Sequence, residues 1–182
     1  MLGRLAGAFM LRTNRQDEVL ELVDVQPGDR VLEVGYGPGG LIRLLVERTG
    51  ASVIHGIDPS SEMRDAAARM NRAAVHAGRV DLRVAGADRT GLPGQSIDHV
   101  ISVNNVTLWP DLRAGLGELH RVVRPGGTVL IAWHGGTAPS RLVRHLRLPA
   151  ETLMHIERAL RELFPQVTRY QLTSVDAFVA IR

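Results

Sequence analysis

The chain has 182 residues, 22 basic against 19 acidic side chains for a formal net charge of +3, 45% hydrophobic residues and no cysteine. That length and apolar content suit one domain with a real core, and the lack of cysteine excludes disulfides and thiolate metal sites. No apolar run approaches the roughly 20 residues of a membrane helix, and with every basic residue an Arg scattered among acids and only two Tyr, two Trp and three Phe, a nucleic-acid surface is not expected.

The elements follow in chain order. Residues 2–11 read as a weakly amphipathic helix. Apolar residues lie between its arginines, but no charged start leads into a long apolar region, so a cytoplasmic protein is expected rather than an exported one. Asn14 caps a second helix, with Asp17 and Glu18 in its first turn and Val19, Leu20, Leu22 and Val23 as its apolar face, so that 1–29 form a helical segment. "QPGD" at 26–29 turns into a strand at 30–35. A helix at 39–48, a strand at 52–58, one helix from about 60 to 76 opened by Ser60, and a strand at 80–85 come next. A loop with Gly91, Pro93 and Gly94 leads to a strand at 97–103 and a helix at 111–123, and "RPGG" at 124–127 reads as a turn into the strand 128–133. After a helix at 150–163, "QVTRYQL" and "DAFVAIR" are close enough to form an antiparallel hairpin. Repeated alternation of strand and helix predicts a mostly parallel α/β sheet covered on both faces, in one domain spanning 1–182.

The chemistry concentrates in "VLEVGYGPGG" at 31–40, a strand, a glycine turn and a helix start that bring backbone N–H groups against a ligand with no Cβ in the way. Gly35, Gly37 and Gly40 satisfy the dinucleotide fingerprint GxGxxG, with Asp58 near the expected spacing. Glu33, Gly35, Gly37 and Gly39 equally satisfy ExGxGxG. On either reading Asp58 ends the second strand, where a carboxylate can accept from both ribose hydroxyls.

Read as ExGxGxG, the loop resembles the first motif of class I S-adenosylmethionine-dependent methyltransferases. Three later stretches resemble the same family: "AGADRTGLPG" after the third strand, "SIDHVISVNNVTLWPDLRAGLGELHRVVRPGGTVLIAW", and the C-terminal hairpin. Together they cover about residues 14–182 and are similar to small-molecule methyltransferases of the methyltransferase 11/25-like domains. The resemblance implies a Rossmann-like three-layer sandwich with a seven-stranded sheet, S-adenosyl-L-methionine as cofactor, and a cofactor set of Glu33, Gly35, Tyr36, Gly37, Gly39, Asp58, Pro59, Met63, Ala87, Asp88 and Asn104. In that set Glu33 lies near the ammonium, Asp58 at the ribose, and Asp88, the Ala87 backbone and Met63 at the adenine.

Transfer from a sulfonium is an in-line displacement in which positioning does most of the work, and a base is needed only if the acceptor must lose a proton. The residues expected at the acceptor are Asn104, Asn105, Trp109 and His134. Asn104 resembles the polar residue that the family sets after its fourth strand, and His134, read as a mobile loop residue before Gly135 and Gly136, is the candidate base. No metal is expected, since there is no HxxxH helix or carboxylate cluster. Arg141, Arg144 and Arg147 read as a solvated helix face. Only about sixteen residues follow the fifth strand before the last helix, so the N-terminal segment, through Phe9, Met10, Arg12 and Asn14, or a second subunit of a homodimer is expected to cover the site. A cofactor-binding but inactive regulatory subunit is the alternative to a catalytic methyltransferase, and a nicotinamide oxidoreductase is disfavoured by the later motifs.

Overall fold

The structure is a computed structural model and describes residues 16–182. The helix expected over 2–11, the Asn14 cap and the wall residues Phe9, Met10, Arg12 and Asn14 lie outside the described residues. A short helix α1 (Gln16–Glu21) precedes β1 (Arg30–Val34), α2 (Gly40–Arg48), β2 (Val53–Asp58), α3 (Ser61–Met70), α4 (Arg72–His76), β3 (Val80–Val84) and β4 (Ile97–Val103). Then come α5 (Leu112–Val122), β5 (Val123–His134), α6 (Ala150–Leu163), β6 (Gln166–Gln171) and β7 (Val175–Ile181). The seven strands form one sheet in the order β3-β2-β1-β4-β5-β7-β6. The pairings among β1 to β5 are parallel, and β7 slots antiparallel between β5 and β6. The expected Rossmann-like architecture is therefore present, hairpin included.

The order reverses at β1, which is flanked by β2 on one side and β4 on the other. Ligands of open α/β sheets sit outside the strand carboxyl ends at such a switch point. One face buries Val31, Ile54, Ile101 and Leu130 under α1, α2 and α3, while the other buries Leu32, Val100, Val129 and Phe178 under α5 and α6. Covering on both faces is why β1 reads as a near-continuous apolar run rather than an alternation. A single acid, Glu33, interrupts it.

Two segments differ from the pattern expected of them. The single helix predicted over 60–76 breaks at Asn71, whose buried side-chain amide donates to Gly39 O and to Ala67 O, both at 3.0 Å. An Asn that bonds backbone groups in this way competes with the helix ladder and ends it. "RPGG" is not a turn before the strand but an excursion within β5: Val123 still pairs Ile97, and pairing resumes at Thr128 opposite His99. Ser60 opens its helix as expected, with Met63 N–H donating to Ser60 Oγ at 3.2 Å, and Asp111 caps α5 by accepting from Ala114 N–H at 3.0 Å.

Asn71 also explains the third glycine of the loop. Gly39 has φ +87°, and a Cβ there would lie 2.7 Å from Asn71 Nδ2 and 2.9 Å from the Ala67 backbone. Gly39→Val is therefore expected to lose at least about 3 kcal/mol of unfolding free energy in urea, from left-handed strain plus overpacking. A loss under about 1 kcal/mol would show that α3 shifts freely away from the loop.

Candidate active site

The glycine loop springs from β1 at the centre of the sheet. Gly35, Gly37 and Gly39 all have positive φ, which lets the chain reverse over a few residues without Cβ clashes. The three have different neighbours. A Cβ on Gly35 would strike the Asn105 side chain at 2.5 Å, and one on Gly39 would strike α3, whereas a Cβ on Gly37 would meet nothing within 4 Å. Gly35 and Gly39 face protein, and Gly37 faces open space at the mouth of the site.

Asp58, at the end of β2 and 8% exposed, fastens this loop. Its two carboxylate oxygens accept from Gly37 N–H and Ser60 N–H, each at 2.9 Å. The bond to the residue that caps α3 and the bond to the glycine loop thus come from one side chain, and each oxygen keeps a lone pair for a further donor.

Glu33 lies behind the loop in register with Gly56 and Ile101, only 4% exposed, with Oε2 unpartnered. Burial, then the negative charge of Asp58, pushes its pKa up to about 8, against an opposing hydrogen bond from the Ile42 backbone in α2. A buried carboxyl lacking a partner on one oxygen is costly unless it stays protonated or meets a cation. The residues here fit a ligand carrying a positive charge.

The side chain of Tyr36, a residue expected in the cofactor set, anchors the loop within the protein and leaves only its backbone for a ligand. That side chain is buried against Gly56, and its hydroxyl donates to Arg83 O on β3 at 3.2 Å. Asn105 is likewise drawn into the protein. Its amide donates to Val34 O (2.7 Å) and Val103 O (3.2 Å), while its Oδ1 accepts from Ser102 Oγ (2.9 Å) and Trp109 Nε1 (2.8 Å). All four capacities of that amide are used, so Asn105 brackets β1 to β4 instead of meeting a substrate. Trp109 is held by that bond and packs on Gly115 of α5, where an added Cβ would lie 2.6 Å from its ring.

His134 is not a mobile loop residue. It is the last residue of β5, 8% exposed and paired with Val175 of β7. Its backbone N–H donates to Asn104 Oδ1 at 2.7 Å, and Asn104 itself, with φ +58°, donates its backbone N–H to Ala132 O at 2.8 Å. Asn104 Nδ2 and His134 Nδ1 are both buried and unpartnered. Burial, and then the nearby charge of His145, lowers the His134 pKa below the usual 6.5, so its ring is neutral at neutral pH. Beyond β2 and β3, Met63, Pro59 and Asp88 are exposed, while Ala87 is buried in the core. Among the described residues no group of His, Asp and Glu is arranged to hold a metal ion.

Residues 31–127 match the family model for a methyltransferase domain. The chain belongs to the S-adenosylmethionine-dependent methyltransferase family. A Bacillus subtilis protein named as the uncharacterized methyltransferase YdaC is 34% identical over 129 residues, 70% of this methyltransferase and 69% of that protein. The ubiquinone/menaquinone biosynthesis C-methyltransferase UbiE of Geotalea daltonii is 34% identical over 106 residues, 58% of this chain and 45% of that one. The methyltransferase spans less than half the length of several curated relatives that it matches. Its fold is shared with the phosphoethanolamine N-methyltransferase 2 of Haemonchus contortus, solved with phosphomonomethylethanolamine and S-adenosylhomocysteine. That match has a TM-score of 0.73 at 20% identity, over 93% of this chain and 52% of the other.

The residues that sequence reasoning missed are Asn71 and Asp176. Asp176 of β7 is buried, and its Oδ2 accepts from Gly136 N–H at 3.2 Å, which sets the course of the chain as it leaves His134. Neither Asn71 nor Asp176 stands in a motif. Each acts on a residue 32 or 40 positions away.

Proposed function

We propose that the protein transfers the methyl group of S-adenosylmethionine to a small-molecule acceptor bound at the carboxyl ends of β4 and β5. The cofactor supplies an electrophilic methyl carbon on a sulfonium. On this reading the backbone of the Gly35–Gly39 loop and Glu33 hold its amino-acid end, Asp58 its ribose, and Met63, Asp88 and the backbone at Ala87 its adenine. Asn104 and His134 face the acceptor.

The observation that carries the reading is the pair of buried, unpartnered polar atoms, Asn104 Nδ2 and His134 Nδ1, on neighbouring strand ends joined by a 2.7 Å hydrogen bond. Buried polar groups are ordinarily satisfied, so this pair supports a ligand whose own polar groups complete them. Asn104 can donate to the acceptor atom and orient its lone pair. A neutral His134 can take the proton that the acceptor releases once its bond to the methyl carbon forms and the carbon–sulfur bond breaks.

The test is transfer of labelled methyl from S-adenosylmethionine to a small-molecule extract, followed across pH. Wild type is expected to transfer label, with a rate that falls only below the ordinary His pKa of 6.5, since the lowered pKa keeps the base free through neutral pH. His134→Asn is expected to lose about 100-fold in kcat and the acid limb with it, while cofactor affinity stays within about threefold. An unchanged acid limb in His134→Asn removes His134 as the base. No transfer by wild type, with tight cofactor binding, supports the regulatory-subunit alternative.

A further inference from the structure

The stretch between β5 and α6, residues 135–149, differs from the rest of the chain in charge. From Leu119 to Ala150 the sequence contains no Asp or Glu, yet Arg141, Arg144 and Arg147 fall within seven residues of one another. Elsewhere some arginines pair with acids, Arg43 with Glu47, Arg113 with Glu162, Arg121 with Glu118 and Arg161 with Glu157 among them, while others, Arg72, Arg89 and Arg158 included, make no ion pair among the described residues but stand in stretches that also carry acids. Among the described residues Arg141 and Arg144 have no ion pair, and Arg147 makes one long bond, 3.5 Å, to Gly136 O. The buried acid Asp176, beside the start of this stretch, is already taken by Arg169 and by Gly136 N–H. Glu151, the next acid in the chain, is exposed at the start of α6.

The same stretch exposes apolar surface beside those charges. Leu142 is 62% exposed and Leu146 41%, on either side of a buried Val143. It is tied down over the end of β5: Trp133 Nε1 donates to Leu146 O at 2.7 Å, and Thr137 N–H and Ala138 N–H donate to Leu172 O and Thr173 O at 2.8 and 2.9 Å. Its His145 is near enough for its charge to be felt at His134. Unpaired cations and exposed leucines on a strap fastened next to the candidate base are the complement of a molecule with an apolar body and a negative group.

We propose that this strap selects the methyl acceptor, an amphiphilic small molecule whose apolar body lies on Leu142 and Leu146 and whose carboxylate or phosphate is held by Arg141 and Arg144. The inference rests on the acceptor binding at the ends of β4 and β5, and it gives the Arg-rich stretch a role beyond a solvated face.

Isothermal titration of the full chain, saturated with S-adenosylhomocysteine, uses octyl phosphate, 1-octanol and inorganic phosphate as probes. Octyl phosphate is expected to bind at least about tenfold tighter than either of the others, with an affinity that falls as salt rises. The double variant Arg141→Gln, Arg144→Gln should lose that tenfold preference over 1-octanol, and Leu142→Ser, Leu146→Ser the preference over inorganic phosphate, while both keep the wild-type affinity for S-adenosylhomocysteine. Equal binding of octyl phosphate and 1-octanol, or an unchanged preference in the arginine variant, overturns the proposal. So does binding to phosphatidylglycerol vesicles without binding to soluble octyl phosphate, which makes the strap a membrane-facing surface. Failure of wild type to bind S-adenosylhomocysteine instead overturns the methyltransferase reading beneath it, and the proposal with it.

Discussion

Asp58→Ala is expected to weaken S-adenosylmethionine binding by at least about 100-fold, because one side chain both shapes the glycine loop and presents acceptors at the end of β2. In the folded protein its carboxylate accepts from Gly37 N–H and Ser60 N–H. Alanine leaves both donors without their partner and lets the loop relax, and it removes the acceptors proposed for the ribose hydroxyls. Charge-assisted bonds of this kind contribute roughly 1.5–3 kcal/mol each, so the loss of two suffices for the expected change. Asp58→Asn keeps a single acceptor oxygen and turns an amide toward one of the two N–H donors, so it should fall between alanine and wild type. Isothermal titration with S-adenosylmethionine and S-adenosylhomocysteine checks both variants. An alanine variant within about threefold of wild type would take Asp58 out of the cofactor site and leave it the loop fastener alone.

Glu33→Gln is expected to abolish the pH dependence that the buried acid imposes on stability. In the unfolded chain this carboxyl titrates near 4.5, while burial and the charge of Asp58 hold its folded pKa at about 8. Between those values the folded state binds more protons than the unfolded one, so stability falls as pH rises, by up to about 1.4 kcal/mol per pH unit. The penalty is absent below the lower value and complete above the higher one. A glutamine side chain carries no such proton, so the variant should match wild type within about 1 kcal/mol at about pH 4.5 and exceed it by several kcal/mol at about pH 8.5. Urea unfolding of both proteins at the two pH values decides it, and parallel behaviour would mean that Glu33 is ionised throughout. Cofactor binding at about pH 7 is also expected to release a proton from wild type and none from Glu33→Gln. The ammonium proposed beside Glu33 favours the carboxylate, and the heat of binding then varies with the buffer's ionisation enthalpy for wild type only.

The glycine loop is legible in the sequence because positive φ is a local demand: Gly35, Gly37 and Gly39 are written into ten consecutive residues, and so is the strand-to-helix reversal they serve. The elements are legible for the same reason, since a period of two or of 3.6 reports which face of a segment is buried without saying against what. Boundaries fail where a distant group intervenes. Asn71 breaks the helix predicted across it because Gly39 stands within reach of its amide, and "RPGG" joins a strand because Gly126 and Gly127 exchange hydrogen bonds with Arg182 at the end of β7.

By itself, then, the sequence determined the order of strands and helices, the hairpin that ends the sheet, and the family's ordered motifs with the acids beside them. Only the tertiary structure decided what the polar side chains do. Tyr36 and Asn105 look like ligand contacts in a motif, but backbone carbonyls of β3 and β1 claim their side-chain donors, Arg83 O for one and Val34 O for the other. His134 reads as a loop residue until β7 pairs alongside it and buries it. The physical reason is that periodicity records burial, a property of one segment, whereas a hydrogen bond needs two partners, and here those partners are brought together across as many as 71 residues by the pairing of strands.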